Sequence, residues 1–132
     1  MGAIGVFSTV LGETAFGRAG LSEIEAREKG YDVVIGQAEA PNRHPGGMPE
    51  AANLKVKLIF ERRTKILLGG QVVGAKSGGE LINVIGTCIH KKMTIDDMAL
   101  FQMGTHPALT ASPIAYQISN AAEMAVREMR IN

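Results

Sequence analysis

Leu54-Lys55-Val56-Lys57-Leu58-Ile59-Phe60-Glu61, then Arg62-Arg63-Thr64-Lys65, then Ile66 through Ala75: the reading of this run decides the fold. The first eight residues alternate apolar and polar over most of their length. That puts Leu54, Val56, Leu58 and Phe60 on one side of an extended chain, as in a half-buried strand. The polar tetrapeptide is a turn, and the apolar residues after it return as a second strand. The pair predicts a β-hairpin with a longer loop. Gly69-Gly70 inside the returning strand predicts a bulge or the close approach of another backbone.

Upstream, Ile4 to Leu11 is apolar and rich in β-formers, and predicts a strand. Ala15 to Arg18 predicts a second, short extended piece. Ser22 with Glu25 is a capping box, in which each side chain satisfies an orphan backbone donor of the other. The helix it opens should stop at Gly30, after about two turns. Tyr31 to Ala40 predicts another strand, with Val33 and Ile35 on one face and Asp32, Val34 and Gly36 on the other. Pro41 to Ala52 is a loop holding Arg43, His44 and three prolines. It reads as a plain sheet connection or as an anion- or substrate-binding loop, the former favoured.

Downstream, Ser77-Gly78-Gly79-Glu80 opens a helix, either by plain capping or as a phosphate cradle. Capping is favoured, because neither Gly-x-x-x-x-Gly-Lys-Ser/Thr nor Gly-x-Gly-x-x-Gly occurs in the chain. Leu81, Val84, Ile85, Cys88 and Ile89 recur at helical spacing and predict one buried stripe. Cys88 in that stripe reads as an inert core thiol, and His90 points elsewhere, so no metal pair is expected. Thr94 and Asp97 cap a short helix running to about Phe101. A last helix is expected from Pro113 to about Met129. Its apolar face would hold Ile114, Ile118, Ala121, Ala122, Ala125 and Met129, with Tyr116, Gln117 and Asn120 solvated. Consecutive antiparallel strands with helices outside the run give an α+β class: a sheet of about four to five strands with helices packed on it.

The chain has 132 residues, one domain's worth, with 14 basic and 13 acidic residues and a net charge of +1. This balance offers no footprint for nucleic acid or a membrane surface, and with no Trp there is no evident base-stacking platform. No apolar run approaches the roughly 20 residues that span a bilayer. The single cysteine cannot form an internal disulfide, which fits a reducing, cytoplasmic compartment. No metal site is expected.

One stretch resists this account: Met103-Gly104-Thr105-His106-Pro107-Ala108-Leu109-Thr110-Ala111-Ser112-Pro113. Its prolines push His106 and Ser112 toward extended conformations. On residue types alone it is either a helix-entry loop with an exposed histidine or a stiff loop that aims His106 at something. His-Pro-x-Leu-Thr before an Ala-rich helix resembles the close of the flavin-dependent pyridine nucleotide–disulfide oxidoreductases. That family includes glutathione reductase, dihydrolipoamide dehydrogenase, NADH oxidase and coenzyme A-disulfide reductase. Ala19 to Ala26 resembles the family's VGLTEDEA segment, and Leu68 to Gly74 its ILGAQIVG segment. Glu80-Leu81-Ile82 and Thr94 to Asp97 fall in the family's order. The resemblance runs from about Gly5 to Met129.

The resemblance implies that residues 1–132 form a single C-terminal dimerisation domain, without the FAD- and NAD(P)-binding domains of the parent. It implies a homodimer in which His106 and Pro107 reach the partner's active site near the flavin, with His106 in the chemistry. FAD and NAD(P)H would belong to the parent, none being expected on this chain alone, which should be inactive. In glutathione reductase-type members a Glu shortly after His-Pro orients the imidazole. Thr110, Ala111 and Ser112 stand here instead, which disfavours a glutathione or lipoamide substrate and leaves coenzyme A disulfide, persulfide or oxygen as acceptor. The other reading kept is a self-contained dimeric binding module without redox activity.

Overall fold

The structure, a computed structural model, describes residues 4–43 and 51–131. His44 and the centre of the Pro41–Ala52 loop lie outside the described residues. Five strands form one antiparallel sheet: β1 (Val6–Leu11), β2 (Thr14–Gly20), β3 (Val33–Pro41), β4 (Asn53–Glu61) and β5 (Leu67–Gly74), in the order β1-β2-β5-β4-β3. With the helices α1 (Glu23–Glu28), α2 (Gly78–His90), α3 (Ile95–Ala99) and α4 (Gln117–Ile131) the class is α+β, as the alternation predicts.

The β4–β5 hairpin is where expected. Phe60 pairs with Leu67 and Ile59 with Gly69, so Leu68 is the extra residue of a bulge. Gly69 beside it also meets the second expectation. A Cβ there would run into the backbone of Leu21, whose N–H donates to the Leu68 carbonyl at 3.0 Å. Both capping boxes form, at Ser22–Glu25 and at Thr94–Asp97, and Gly30 ends α1 with φ 91°.

Leu54, Val56, Leu58 and Phe60 share one face and are wholly or nearly wholly buried. Removing each from water is worth about 1.5–3 kcal/mol. The helices α2 and α4 cover this face, α4 over β3 and β4, and α2 over β5, β2 and β1. Gly36 lets α4 come close: a Cβ there would overlap the Ala121 carbonyl. Of the helices, only α1 belongs to the smaller cluster on the opposite face, where Ala26, Val33 and Ile59 are buried.

The structure departs from the sequence reading in three places. Ser77 is αR and its side chain makes no cap hydrogen bond. Its Oγ instead takes a hydrogen bond from Asn42 Nδ2 at 3.4 Å. The buried face of α2 is Gly78, Ile82, Ile85, Gly86 and Ile89 with Cys88, while Val84 is exposed. Counting bulky residues alone misplaces that face, because two of its positions are glycines. A Cβ at Gly78 would meet Val72 and Leu54, and one at Gly86 would meet Val6. Finally, Pro113 does not begin the last α-helix. Pro113–Ala115 is a single 3-10 turn, Tyr116 is extended, and α4 starts at Gln117. Ile114 is thereby thrown outward, 87% exposed, and Gln117 is buried.

Candidate functional site

The chain from Leu100 to Ser112 crosses from α3 to the 3-10 turn with no regular hydrogen-bond ladder of its own. Its entry is pinned to the hairpin. The Leu67 N–H donates to the Met93 carbonyl and the Ile95 N–H to the Lys65 carbonyl, both at 2.9 Å. Its exit is pinned by α4. Tyr116 stands at the N-cap, its carbonyl accepting from Asn120 N–H, and the Asn120 side chain donates back to the Ile114 carbonyl at 3.1 Å.

Between the pins His106 organises one tight turn. Its carbonyl accepts from Leu109 N–H and Thr110 N–H, each at 2.9 Å. Its own N–H donates to Thr110 Oγ1 at 3.2 Å, and the Thr110 hydroxyl donates to the Ala111 carbonyl at 2.9 Å. The imidazole joins the turn: Nδ1 accepts from the Ala108 N–H at 3.1 Å. An Nδ1 that accepts cannot carry the proton, so the neutral ring is the Nε2–H tautomer. Pro107 fixes the backbone between acceptor and donor. The result is an exposed imidazole held at one nitrogen and presenting the other. Arg43 Nη1 reaches the loop from outside, donating to the Leu109 carbonyl at 3.5 Å.

Among the described residues no carboxylate bonds to His106; the positions shortly after His106-Pro107 are Thr110, Ala111 and Ser112, of which Ala111 is buried. A carboxylate on Nδ1 would accept a proton from the ring, whereas the Ala108 N–H donates one to it. The two arrangements impose opposite tautomers.

Beneath Leu109, Thr110 and Ala111 lies a cavity of about 290 Å³, floored by Leu54 and Leu81 and walled by Tyr116 and Gln117. Two buried polar side chains brace it. Gln117 Nε2 donates to the Ala40 carbonyl at 2.9 Å, and Asn42 Oδ1 accepts from Ala52 N–H at 2.8 Å. The sequence reading missed both residues. Gln117 follows a helical spacing that counts from Pro113, and only the break at Tyr116 turns it inward. Burial, then the neighbouring Cys88, pushes the Tyr116 phenol up.

Cys88 is buried, and burial pushes its thiol up to about 11. It is an inert core thiol, as its place in the helix predicts. His90 is exposed at the end of α2. Among the described residues no group of three or more His, Cys, Asp or Glu is placed to hold a metal ion, and no helix is long and apolar enough to cross a membrane.

Residues 6–115 match the family model described as the pyridine nucleotide-disulphide oxidoreductase dimerisation domain. An NADH oxidase of Methanocaldococcus jannaschii is 30% identical over 122 residues, which are 90% of this chain and 26% of that protein. A dihydrolipoyl dehydrogenase of Buchnera aphidicola is 36% identical over 101 residues, 70% of this chain and 19% of that one. Among solved structures, an NAD-dependent persulfide reductase from A. fulgidus superposes with a TM-score of 0.87 at 28% identity, over 98% of this chain and 23% of that one. The chain thus spans about a quarter or less of the length of these relatives.

Proposed function

The chain belongs to the pyridine nucleotide-disulphide oxidoreductase dimerisation family, and we propose that it builds the homodimer, and completes the active site, of a FAD-dependent NAD(P)H oxidoreductase. Alone it is inactive. In the assembled parent His106 and Pro107 meet the flavin region of the partner subunit. The observation that carries this reading is the family match across 6–115, with His106 exposed on a turn that ties down only Nδ1. That residue set fits a flavin contact in one limited sense. It offers a fixed Nε2–H donor to the edge of a site built by other domains, and no cradle for the cofactor itself. The flavin, held by those domains, would relay electrons from the nicotinamide to the acceptor.

The tautomer refines the role of His106. With Nδ1 occupied by a backbone donor, Nε2–H hydrogen-bonds an anionic or polar group and can hand over a proton, but it is not primed by a carboxylate to take one. A coenzyme A disulfide, a persulfide or oxygen is the acceptor class this supports.

The test is His106→Gln in the full-length protein, with flavin content and dimer state checked first. A fall in turnover of about 10², confined to the disulfide or persulfide reaction and sparing oxygen, is the expected result. Unchanged turnover with both acceptors removes His106 from the chemistry.

A further inference from the structure

The cavity beneath the His106 turn takes no part in the function proposed above, and its lining is chemically selective. About 290 Å³ of space lies under Leu109, Thr110 and Ala111, with Leu54 and Leu81 as its floor. An apolar cavity of about 150 Å³ admits one benzene ring. This one has room for a substituted or fused ring, on a largely apolar bed of the kind that holds small ligands.

The polar groups around it differ in what they still offer. Asn42 spends both amide atoms, Oδ1 on the Ala52 N–H and Nδ2 on Ser77 Oγ. Thr110 spends its hydroxyl proton on the Ala111 carbonyl. The start of α2 is spent as well. Gly78 N–H and Gly79 N–H donate to the Ala75 and Lys76 carbonyls, and Glu80 N–H and Leu81 N–H donate to the Ser77 carbonyl. The phosphate cradle that Ser77-Gly78-Gly79 suggests therefore has no free backbone donors. Gln117 is the exception. It is 2% exposed, its Nε2 is held by the Ala40 carbonyl, and among the described residues no hydrogen bond reaches its Oε1. Nor is that oxygen sealed in: the enclosed side-chain atom without a partner among the described residues is Ser119 Oγ. Gln117 stands in the cavity wall, so its Oε1 opens on the cavity as an unused acceptor.

The charge is one-sided too. Glu80 is the one charged residue among the described residues lining the cavity. Arg43 stays outside, on the Leu109 carbonyl. Burial, then Cys88, pushes the Tyr116 phenol up, so it stays neutral near pH 7. A carboxylate at the rim, with the backbone donors spent, rejects phosphates and carboxylates and favours donors and cations. The phosphate-bearing cofactors of the proposed parent do not suit this lining.

We propose that the cavity is a binding site of its own, for a compact aromatic ring that carries an O–H or N–H donor and no negative charge. The ring lies on Leu54 and Leu81 and donates to Gln117 Oε1, and a cationic substituent is favoured at the Glu80 rim. The roof is the segment that closes the turn: Leu109 N–H and Thr110 N–H both donate to the His106 carbonyl. A ring packed beneath them restrains that turn, so occupancy reaches the imidazole without touching it. The site needs neither a flavin nor a second copy, and its failure would leave the dimerisation reading untouched.

The experiment titrates para-cresol, tyramine and para-hydroxyphenylacetate into the 132-residue chain and follows the amide and imidazole signals by NMR. Para-cresol should bind saturably, with a dissociation constant on the order of 1 mM. It should move the amides of Leu81, Leu109, Thr110 and Gln117, with the His106 ring following the same curve. Tyramine should bind at least as tightly, and the carboxylate about fivefold or more weaker than tyramine. Two variants, checked for folding by circular dichroism, locate the ring. Leu81→Trp fills the cavity from the half-buried floor and should weaken para-cresol about tenfold or more. Gln117→Met removes the acceptor at similar volume and should weaken it about threefold to tenfold. No saturable shift up to about 20 mM para-cresol overturns the site. So does binding that the folded Leu81→Trp variant retains, or a carboxylate that binds as well as the amine. Affinity that disappears as the chain dimerises also overturns it, because a second copy would then be the occupant.

Discussion

The sheet with α2 and α4, and the loop from Leu100 to Ser112, are held together by different means. The sheet body rests on apolar burial at close range, with glycines at the positions where a helix comes nearest. In the loop Leu100 and Leu109 are exposed, and between its pinned ends the turn is held mainly by hydrogen bonds within His106–Ala111, joined by one from Arg43 to the Leu109 carbonyl. A body of the first kind fails when its packing changes. A turn of the second kind can lose its function while the fold stays intact. Substitutions should therefore separate the two regions by what they damage.

The largest effect is expected at Gly36. A side chain there meets the Ala121 carbonyl and the Ala125 methyl, which are backbone and core rather than a flexible tip. Gly36→Val should cost about 3 kcal/mol or more in chemical denaturation. Gly79→Ala is the control. Nothing lies within 4 Å of its Cβ position, and it should be neutral or stabilising by about 0.5–1 kcal/mol. Equal effects of the two would break the picture of a body limited by close approach.

How much of this was legible in the sequence follows the same division. The alternation from Leu54 to Phe60, the two capping boxes and the Gly69-Gly70 pair each encode a local geometry, and each was found where it was read. The face of α2 was misread because a glycine gives no apolar signal although it can be the most buried position of a helix. The start of α4 was misread because proline suits a 3-10 turn as well as the first turn of an α-helix, and only the tertiary position of Ile114 and Gln117 distinguishes them. His106 is singled out as a candidate through its neighbours' order along the chain and the family they resemble. The bond from Ala108 N–H to its Nδ1 was not legible. It depends on how the turn closes, which residue types alone do not specify.

A second test within the body concerns that corrected face. Ile82 is fully buried and Val84 is 39% exposed. Ile82→Ala should cost about 2–3 kcal/mol, and Val84→Ala about 0.5 kcal/mol or less. A reversal would restore the stripe that the bulky residues suggest.

Cys88 provides a smaller effect, with a defined pH window. Its thiol ionises near the ordinary 9.0 in the unfolded chain and near 11 in the folded one. Between those values the unfolded state holds fewer protons, so stability is full below pH 9 and falls as pH rises through 11. Denaturation midpoints should decline across that window, and Cys88→Ala should flatten part of the decline. Tyr116, pushed in the same direction by burial and then by Cys88, adds to the decline. A slope unchanged by Cys88→Ala would deny the thiol its buried setting.

The smallest effect on stability is expected in the loop. Thr110→Val removes the acceptor for the His106 N–H and the donor to the Ala111 carbonyl at a partly exposed position. The loss should be about 1 kcal/mol or less. Its effect on the imidazole should be the larger one, releasing the ring from a single tautomer toward the mixture of a free histidine.

That imidazole is the point at which the fold meets the proposed chemistry, and nitrogen-15 NMR of the neutral ring reads it directly. The account predicts that His106 in the folded chain carries its proton on Nε2, with Nδ1 bare and hydrogen-bonded, and that Thr110→Val blurs this preference while leaving the rest of the spectrum in place. A proton on Nδ1, or an even mixture of tautomers in the unaltered chain, would contradict it.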